Sequence, residues 1–274
     1  MPNDGGNLLL NEDEKNSLIN DESGSVGYIK PFISAKEYLN GINRYCLWLS
    51  DITPSILNCL PKVLERVTAV KEKRLESTIN ATKELANTPY LFGEIRQPDS
   101  DYIVIPAITS ENRDYIPLSF FNKDYIVGNS CFAVSDATLY HFGILMSEIH
   151  MTWVKYVCGR LKGDYRYSIN IVYNNFPWPQ PNETQIKNIK KASKKLLAIR
   201  NEMLKDSSLA DLYNPLTMPN DLRNAHKKLD KAVYKAYGKT FKNEMEIVNF
   251  LFELYEKYQE EGVVKWLPLE LLVM

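Results

Sequence analysis

From Tyr165 onward every second side chain is apolar or aromatic, and the positions between are mostly hydrogen-bonding groups. Tyr165, Tyr167, Ile169, Ile171 and Tyr173 fall on one side, and Arg166, Ser168, Asn170, Val172 and Asn174 on the other. A period of two predicts a strand with one buried face. "RYCLWL" (44–49) reads as another strand. Four more signals crowd between Tyr90 and Ser135, namely "YLFGEI", "YIVIPAI", "YIPLSFF" and "YIVGNSCFAV", parted by Pro, Asp and Asn turns.

Elsewhere the period is helical. Asn11 should cap a short helix over Glu12–Ile19 that carries acids in its first turn. From Pro54 to about Leu85, Ile56, Leu60, Val63, Leu64, Val67 and Val70 share one side, with a break expected near Thr78. Asp136 is expected to cap one long helix striped by Leu139, Phe142, Leu145, Met146, Ile149, Trp153 and Tyr156, which Gly159 ends. "FPWPQPN" (176–182) holds three prolines in seven residues and reads as a stiff boundary. Three helices should follow, striped by Ile189 and Leu196, by Leu222, Ala225 and Leu229, and by Val248 and Leu251. The tail "VVKWLPLELLVM" is apolar enough to be expected to pack on this chain or on a partner. The fold class is therefore α+β: a mixed strand and helix domain followed by an all-α helical region.

A chain of 274 residues suits one large domain or two smaller ones. Cys46, Cys59, Cys131 and Cys158 form no C-x-x-C pair, which argues for reduced thiols and against structural zinc. The first residues lack a basic stretch followed by an apolar core, and no apolar run reaches the ~18–20 residues of a membrane span, so a cytoplasmic protein with no membrane partner is expected.

Candidate chemistry is sparse. His141 and His150 lie nine residues apart on opposite helix faces and cannot share a metal, so both read as structural. No H-E-x-x-H, G-x-S-x-G or phosphate-cradling glycine loop occurs. Asp13-x-Lys15 has a nuclease-like spacing but sits on a short polar helix. The Asn/Asp-Pro-Pro-aromatic tetrad of amino-directed DNA methyltransferases fails twice. Asn214-Pro215 continues with Leu-Thr, and Phe176-Pro177-Trp178-Pro179 has the wrong order. No catalytic residue, metal ligand or cofactor site is expected, and the chain should not be an enzyme on its own.

Basic clustering says more than the net charge of −1. Lys187, Lys190, Lys191, Lys194, Lys195, Arg200 and Lys205 form one group. Lys62, Arg66, Lys71, Lys73 and Arg74 form a second, and Lys155, Arg160, Lys162 and Arg166 a third. Three such groups beside polar-faced strands point toward phosphate contact.

Taken together, "RYCLWLSD", "LPKVLERVTAVKEKRLES", "IPAITSENRDYIP", "FGILMSEIHMTWVKYVCGRLKGDYRYS", "VYNNFPWP" and "LYNPLTMPNDLRNAHKKLDKAVYKAYG" resemble, in order, the carboxy-terminal part of the type IIL (MmeI-like) restriction–modification proteins. In those long chains a nuclease, an adenine-N6 methyltransferase and a target-recognition domain share one polypeptide. The resemblance implies an N-terminal connector over 1–29, a DNA target-recognition domain over 30–178 and a C-terminal helical domain over 183–274. Catalytic portions, S-adenosylmethionine and any nuclease Mg²⁺ would belong to the parent protein, with Met1 the start of an expressed piece or of a truncated gene. The implied partners are double-stranded DNA and the methyltransferase domain of the parent chain or of a partner subunit.

Major-groove readout needs donors and acceptors on a rigid element: arginine or lysine for guanine, asparagine for adenine, a carboxylate for cytosine. Within the segment where this family reads sequence, Lys162, Asp164, Arg166 and Ser168 are the base-contact candidates, with Asn129 and Ser130 as further ones. Arg66, Arg74, Arg160, Lys187, Lys191 and Lys194 are the phosphate candidates. The rival reading is a non-catalytic interaction scaffold whose basic faces are merely solvated.

Overall fold

A computed structural model describes residues 2–262 and the backbone of 271–272. In chain order the elements are β1 (Leu9–Leu10), α1 (Glu12–Asp21), β2 (Ile29–Ile33), α2 (Ala35–Asn40), β3 (Tyr45–Leu47), α3 (Pro54–Asn58), α4 (Pro61–Leu75), α5 (Asn80–Glu84), β4 (Tyr102–Pro106), β5 (Ile108–Thr109), β6 (Ser119–Phe121), β7 (Ile126–Val127), β8 (Cys131–Ser135), α6 (Leu139–Leu145), α7 (Glu148–Val157), β9 (Gly159–Leu161), β10 (Asp164–Arg166), α8 (Glu183–Met203), α9 (Leu209–Leu212), α10 (Asn220–Ala236), α11 (Glu244–Glu260) and β11 (Leu271–Leu272). The fold is α+β, with all the sheet strands but β11 preceding the C-terminal helices. Apart from β11, the apolar tail from Val263 lies outside the described residues.

One compact unit comprises the residues up to Asp99 together with Asn122–Cys131. Its sheet runs β1-β3-β2-β7, antiparallel except for the parallel β2–β7 pair. Asn11 caps α1 through a reciprocal box: its Oδ1 accepts from Glu14 N at 2.8 Å, and Glu14 Oε2 accepts from Asn11 N at 2.9 Å. Val63, Val67 and Val70 of α4 pack into a core with Leu8, Leu10, Leu18 and Leu47. The first 29 residues, expected to be a connector, thus supply a strand, a helix and core leucines. The helical run from Pro54 is split, because Pro61 opens α4 and Leu60 before it takes an extended φ of −122°. "YLFGEI" forms no strand. Phe92 is fixed by side-chain packing instead, edge-on to Trp48 at 5.3 Å.

The second unit comprises Ser100–Phe121 and the chain from Phe132 onward. It holds the sheets β5-β10-β9 and β11-β8-β4-β6. The long helix expected after Asp136 is two helices. Asp136 adopts a φ of +54°, Thr138 caps α6, and Ser147 caps α7 with its Oγ accepting from His150 N. α6 lies against α8 through Gly143, where a Cβ would stand 2.4 Å from Ser193 Oγ and 2.5 Å from Ile189 Cγ2. His150 is fully buried, with Nδ1 on Leu145 O at 2.9 Å and Nε2 on Tyr167 Oη at 3.1 Å. Burial pulls its pKa down to about 4, so it is neutral and structural.

A buried acid ties α10 to α7. Asp230 Oδ1 accepts from Glu148 N at 2.8 Å and Oδ2 from Tyr115 Oη at 2.8 Å. Burial, reinforced by the nearby Glu148 carboxylate and opposed by those two hydrogen bonds, pushes the Asp230 pKa up to about 7. A raised acid pKa means that the native state holds the proton more tightly than the unfolded chain. The contribution is therefore complete below the unfolded value near 4 and is lost as pH rises through about 7. Asp230→Asn should flatten that loss between about pH 4 and 7 in denaturant midpoints; an unchanged pH slope would show that Asp230 titrates normally.

Candidate nucleic-acid interface

The strand predicted over 165–174 stops at Arg166. Residues Ile169–Tyr173 form a wide helical turn, in which Ile171 is 51% exposed while Val172 and Tyr173 are both buried. Trp153 Nε1 donates to Val172 O at 2.9 Å and holds that turn down. What remains of the strand is half of a tight hairpin. β9 and β10 pair antiparallel with Leu161 opposite Asp164, leaving Lys162–Gly163 as a two-residue loop. Both loop residues have positive φ, +54° and +104°, as a type I′ turn requires. The left-handed lysine is the uncommon feature, and the glycine after it is the ordinary solution.

Packing fixes the base of this hairpin. Tyr165 and Tyr167 are buried, and Tyr167 donates its backbone N–H to Ala107 O at 2.9 Å and its ring oxygen meets His150. Tyr165 pairs with Thr109 of β5. Asp164 and Arg166, two residues apart, project from the opposite face. Arg166 is exposed and its side chain has no hydrogen bond or ion pair among the described residues; the same holds for Lys162 at the loop. Asp164 is half-buried, its Oδ1 accepting from Glu111 N at 3.4 Å. Ser168 is half-buried where the wide turn begins, and its carbonyl accepts from Val172 N at 2.7 Å.

In the first unit, Asn129 is exposed. Ser130 is half-buried with its Oγ accepting from Ala35 N at 2.8 Å, so it already holds the start of α2.

The phosphate candidates divide sharply. Lys187, Lys191 and Lys194 are all exposed on α8, together with Lys190 and Lys195, in one solvent-facing stripe. Arg66 is half-buried, donating to Asn7 O at 3.0 Å and to Glu14 Oε1 at 2.9 Å. Arg160 stacks over the Tyr165 ring at 4.0 Å and donates to Gly163 O at 2.9 Å, so it braces the hairpin. Arg74 corrects the expectation outright. It is 1% exposed, and its guanidinium donates to five carbonyls, those of Pro2, Asn3, Leu85, Thr88 and Leu91. A phosphate cannot reach it. Arg200, counted with the α8 lysines, is likewise inside, donating to Leu118 O and Ser119 Oγ.

The residues of the two partial methyltransferase motifs are engaged in local structure. Asn214 Oδ1 accepts from Leu216 N at 3.0 Å within its own turn, and Phe176 and Trp178 are buried against each other at 5.3 Å. Among the described residues, no three His, Cys, Asp or Glu side chains converge to hold a metal, and no helix is long and apolar enough to cross a membrane.

Comparison with known proteins divides the chain at residue 180, elsewhere than the two compact units do. The family described as the MmeI target recognition domain matches residues 1–180, and that described as the MmeI C-terminal domain matches residues 181–262. DNA methyltransferase A of Bacillus subtilis (strain 168) is 42% identical over 261 residues, covering 95% of this chain and 30% of its own length. A solved structure of the type IIL restriction–modification enzyme MmeI in complex with DNA superposes with a TM-score of 0.91 at 43% identity, covering 94% of this chain and 35% of that one. The chain thus spans only about a third of either relative. With matches running from residue 1 to residue 262, it belongs to the MmeI family, as a target recognition domain followed by the C-terminal domain.

Proposed function

We propose that this chain recognises a specific sequence in double-stranded DNA, as the specificity portion of an S-adenosylmethionine-dependent DNA adenine-N6 methyltransferase of the restriction–modification type, working in the cytoplasm. The observation that carries the proposal is the β9–β10 hairpin. Buried tyrosines anchor one face, while Lys162, Asp164 and Arg166 project donors and acceptors from a turn too tight to wander. A two-stranded ribbon fits the major groove, and these side chains suit guanine and cytosine edges. Ser168, Asn129 and Ser130 stand as further base contacts. The function is binding: the chain would fix the methyltransferase portion on its site and help hold the duplex while the target adenine is flipped out. Methyl transfer, and any Mg²⁺-dependent cleavage, would belong to the parent protein, whose methyltransferase domain is the protein partner.

Lys187, Lys191 and Lys194 supply the sequence-independent share of affinity through phosphate contacts. Lys191→Ala should weaken all duplexes about equally and lower the salt-dependence slope by about one. Duplex binding measured across a salt series tests the whole proposal. A steep fall from low to moderate salt is expected; a flat response would favour a scaffold with solvated lysines.

A further inference from the structure

The loop Ser110–Tyr115 is not a free turn. At its base, Tyr115 donates to Asp230 of α10 and stacks on His226 with ring centroids 3.8 Å apart, and Asp114 accepts from Arg223 at 3.1 Å. α10 therefore anchors it on three side chains. Its tip reaches the hairpin. Glu111 N donates to Asp164 Oδ1 at 3.4 Å, and the Glu111 carboxylate faces Arg160 at 3.8 Å. The same carboxylate lies over the turn, where a Cβ on Gly163 would come within 3.3 Å of Oε1. Arg160 is thereby held on both sides, by Glu111 and by the face of Tyr165, while it closes the turn through Gly163 O.

An exposed acid beside a DNA-reading turn is electrostatically unfavourable toward phosphate. Its presence there needs a compensating role, and the geometry supplies one. We infer that Glu111 is a specificity-positioning residue, which holds Arg160 and Asp164 in register for base readout from a loop anchored on the C-terminal helices. The inference rests on the DNA-recognition proposal above and deepens it. It gives the helical region a part in specificity beyond its lysine stripe, since the brace on the hairpin is only as rigid as α10.

The experiment compares wild type, Glu111→Gln, Asp164→Ala and the double variant of this chain. Each competes for a target duplex against duplexes bearing every single base-pair change. Glu111→Gln keeps the size and the backbone N–H and removes the charge that orients Arg160. Acting through Arg160, which closes the turn at Gly163 O beside Asp164, it should cost about three- to fivefold in discrimination at the base pair that Asp164 reads, the scale of a half-exposed ion pair. Affinity for random duplex should stay equal or rise, because a negative charge has left; a merely misfolded hairpin would lower it. In the Asp164→Ala background, Glu111→Gln should add no further loss. Full discrimination by Glu111→Gln beside a defective Asp164→Ala overturns the positioning role and leaves DNA recognition standing. Additive losses also overturn it, since Glu111 would then act on DNA itself. A wild type without sequence preference overturns both.

Discussion

Arg74→Met is expected to destabilise the N-terminal unit by about 3–5 kcal/mol, the cost of leaving two or more buried carbonyls without a donor. Five carbonyls converge on this guanidinium from Pro2, Asn3, Leu85, Thr88 and Leu91. They come from the chain's first residues and from the turns that follow α5, so the single side chain ties two stretches to the end of α4. Methionine fills much of the volume but leaves those acceptors facing one another without a donor, at about 1–3 kcal/mol for each that water cannot reach. Lysine would fare little better, having three donors on one atom where the site needs five in a planar fork. Arg66→Met is the matched control: its half-exposed pair with Glu14 should matter by no more than about 1 kcal/mol. Urea midpoints followed by Trp48 fluorescence separate the two, because Trp48 packs on Phe92 within the same unit. Equal midpoints for the two variants would mean that Arg74 is not the clamp described here.

The same arginine shows what could be read from sequence and what could not. Arg74 follows Val63, Val67 and Val70 at helical spacing, and Arg200 follows Ile189, Ser193 and Leu196 in the same way. Both sit on the apolar stripe of their own helix, so the pattern already places them inward. Counting charges along the chain hides this, and sorting them by helix face recovers it. Where capping chemistry is local the sequence suffices, as with Asn11 and Glu14 at the start of α1. It fails where tertiary partners decide. The alternation from Tyr165 to Asn174 fits one strand, yet Trp153 bonding to Val172 O converts its second half into a wide turn. The expected strand and the observed turn both bury Tyr167 and Ile169, so the two first diverge at Ile171 and Val172, too late to warn. The loop Ser110–Asp114, though part of a segment that carries the family resemblance, gives no residue-level sign of its contacts, which are all long-range.

Arg166→Ala is expected to cost about ten- to a hundredfold in preference at one base pair, the discrimination a well-placed arginine supplies against the wrong base at about 1–3 kcal/mol. The fold should not notice. The Arg166 side chain is exposed and makes no hydrogen bond or ion pair among the described residues, and its backbone pairing with Gly159 and Ile108 does not depend on side-chain identity. Affinity for random duplex should therefore stay within a few fold, and the salt slope should fall by less than for Lys191→Ala, which on the proposed reading removes a phosphate contact and no base contact. Arg166→Lys sharpens the test, because it keeps the charge and loses the planar fork. If charge near the groove is all that matters, lysine restores the wild-type profile; if bidentate geometry reads a guanine, lysine restores affinity and leaves preference impaired. Competition among duplexes with single base-pair changes reports both quantities at once. A profile unchanged by Arg166→Ala would remove this residue from readout and shift the burden to Lys162 and Asp164 at the turn.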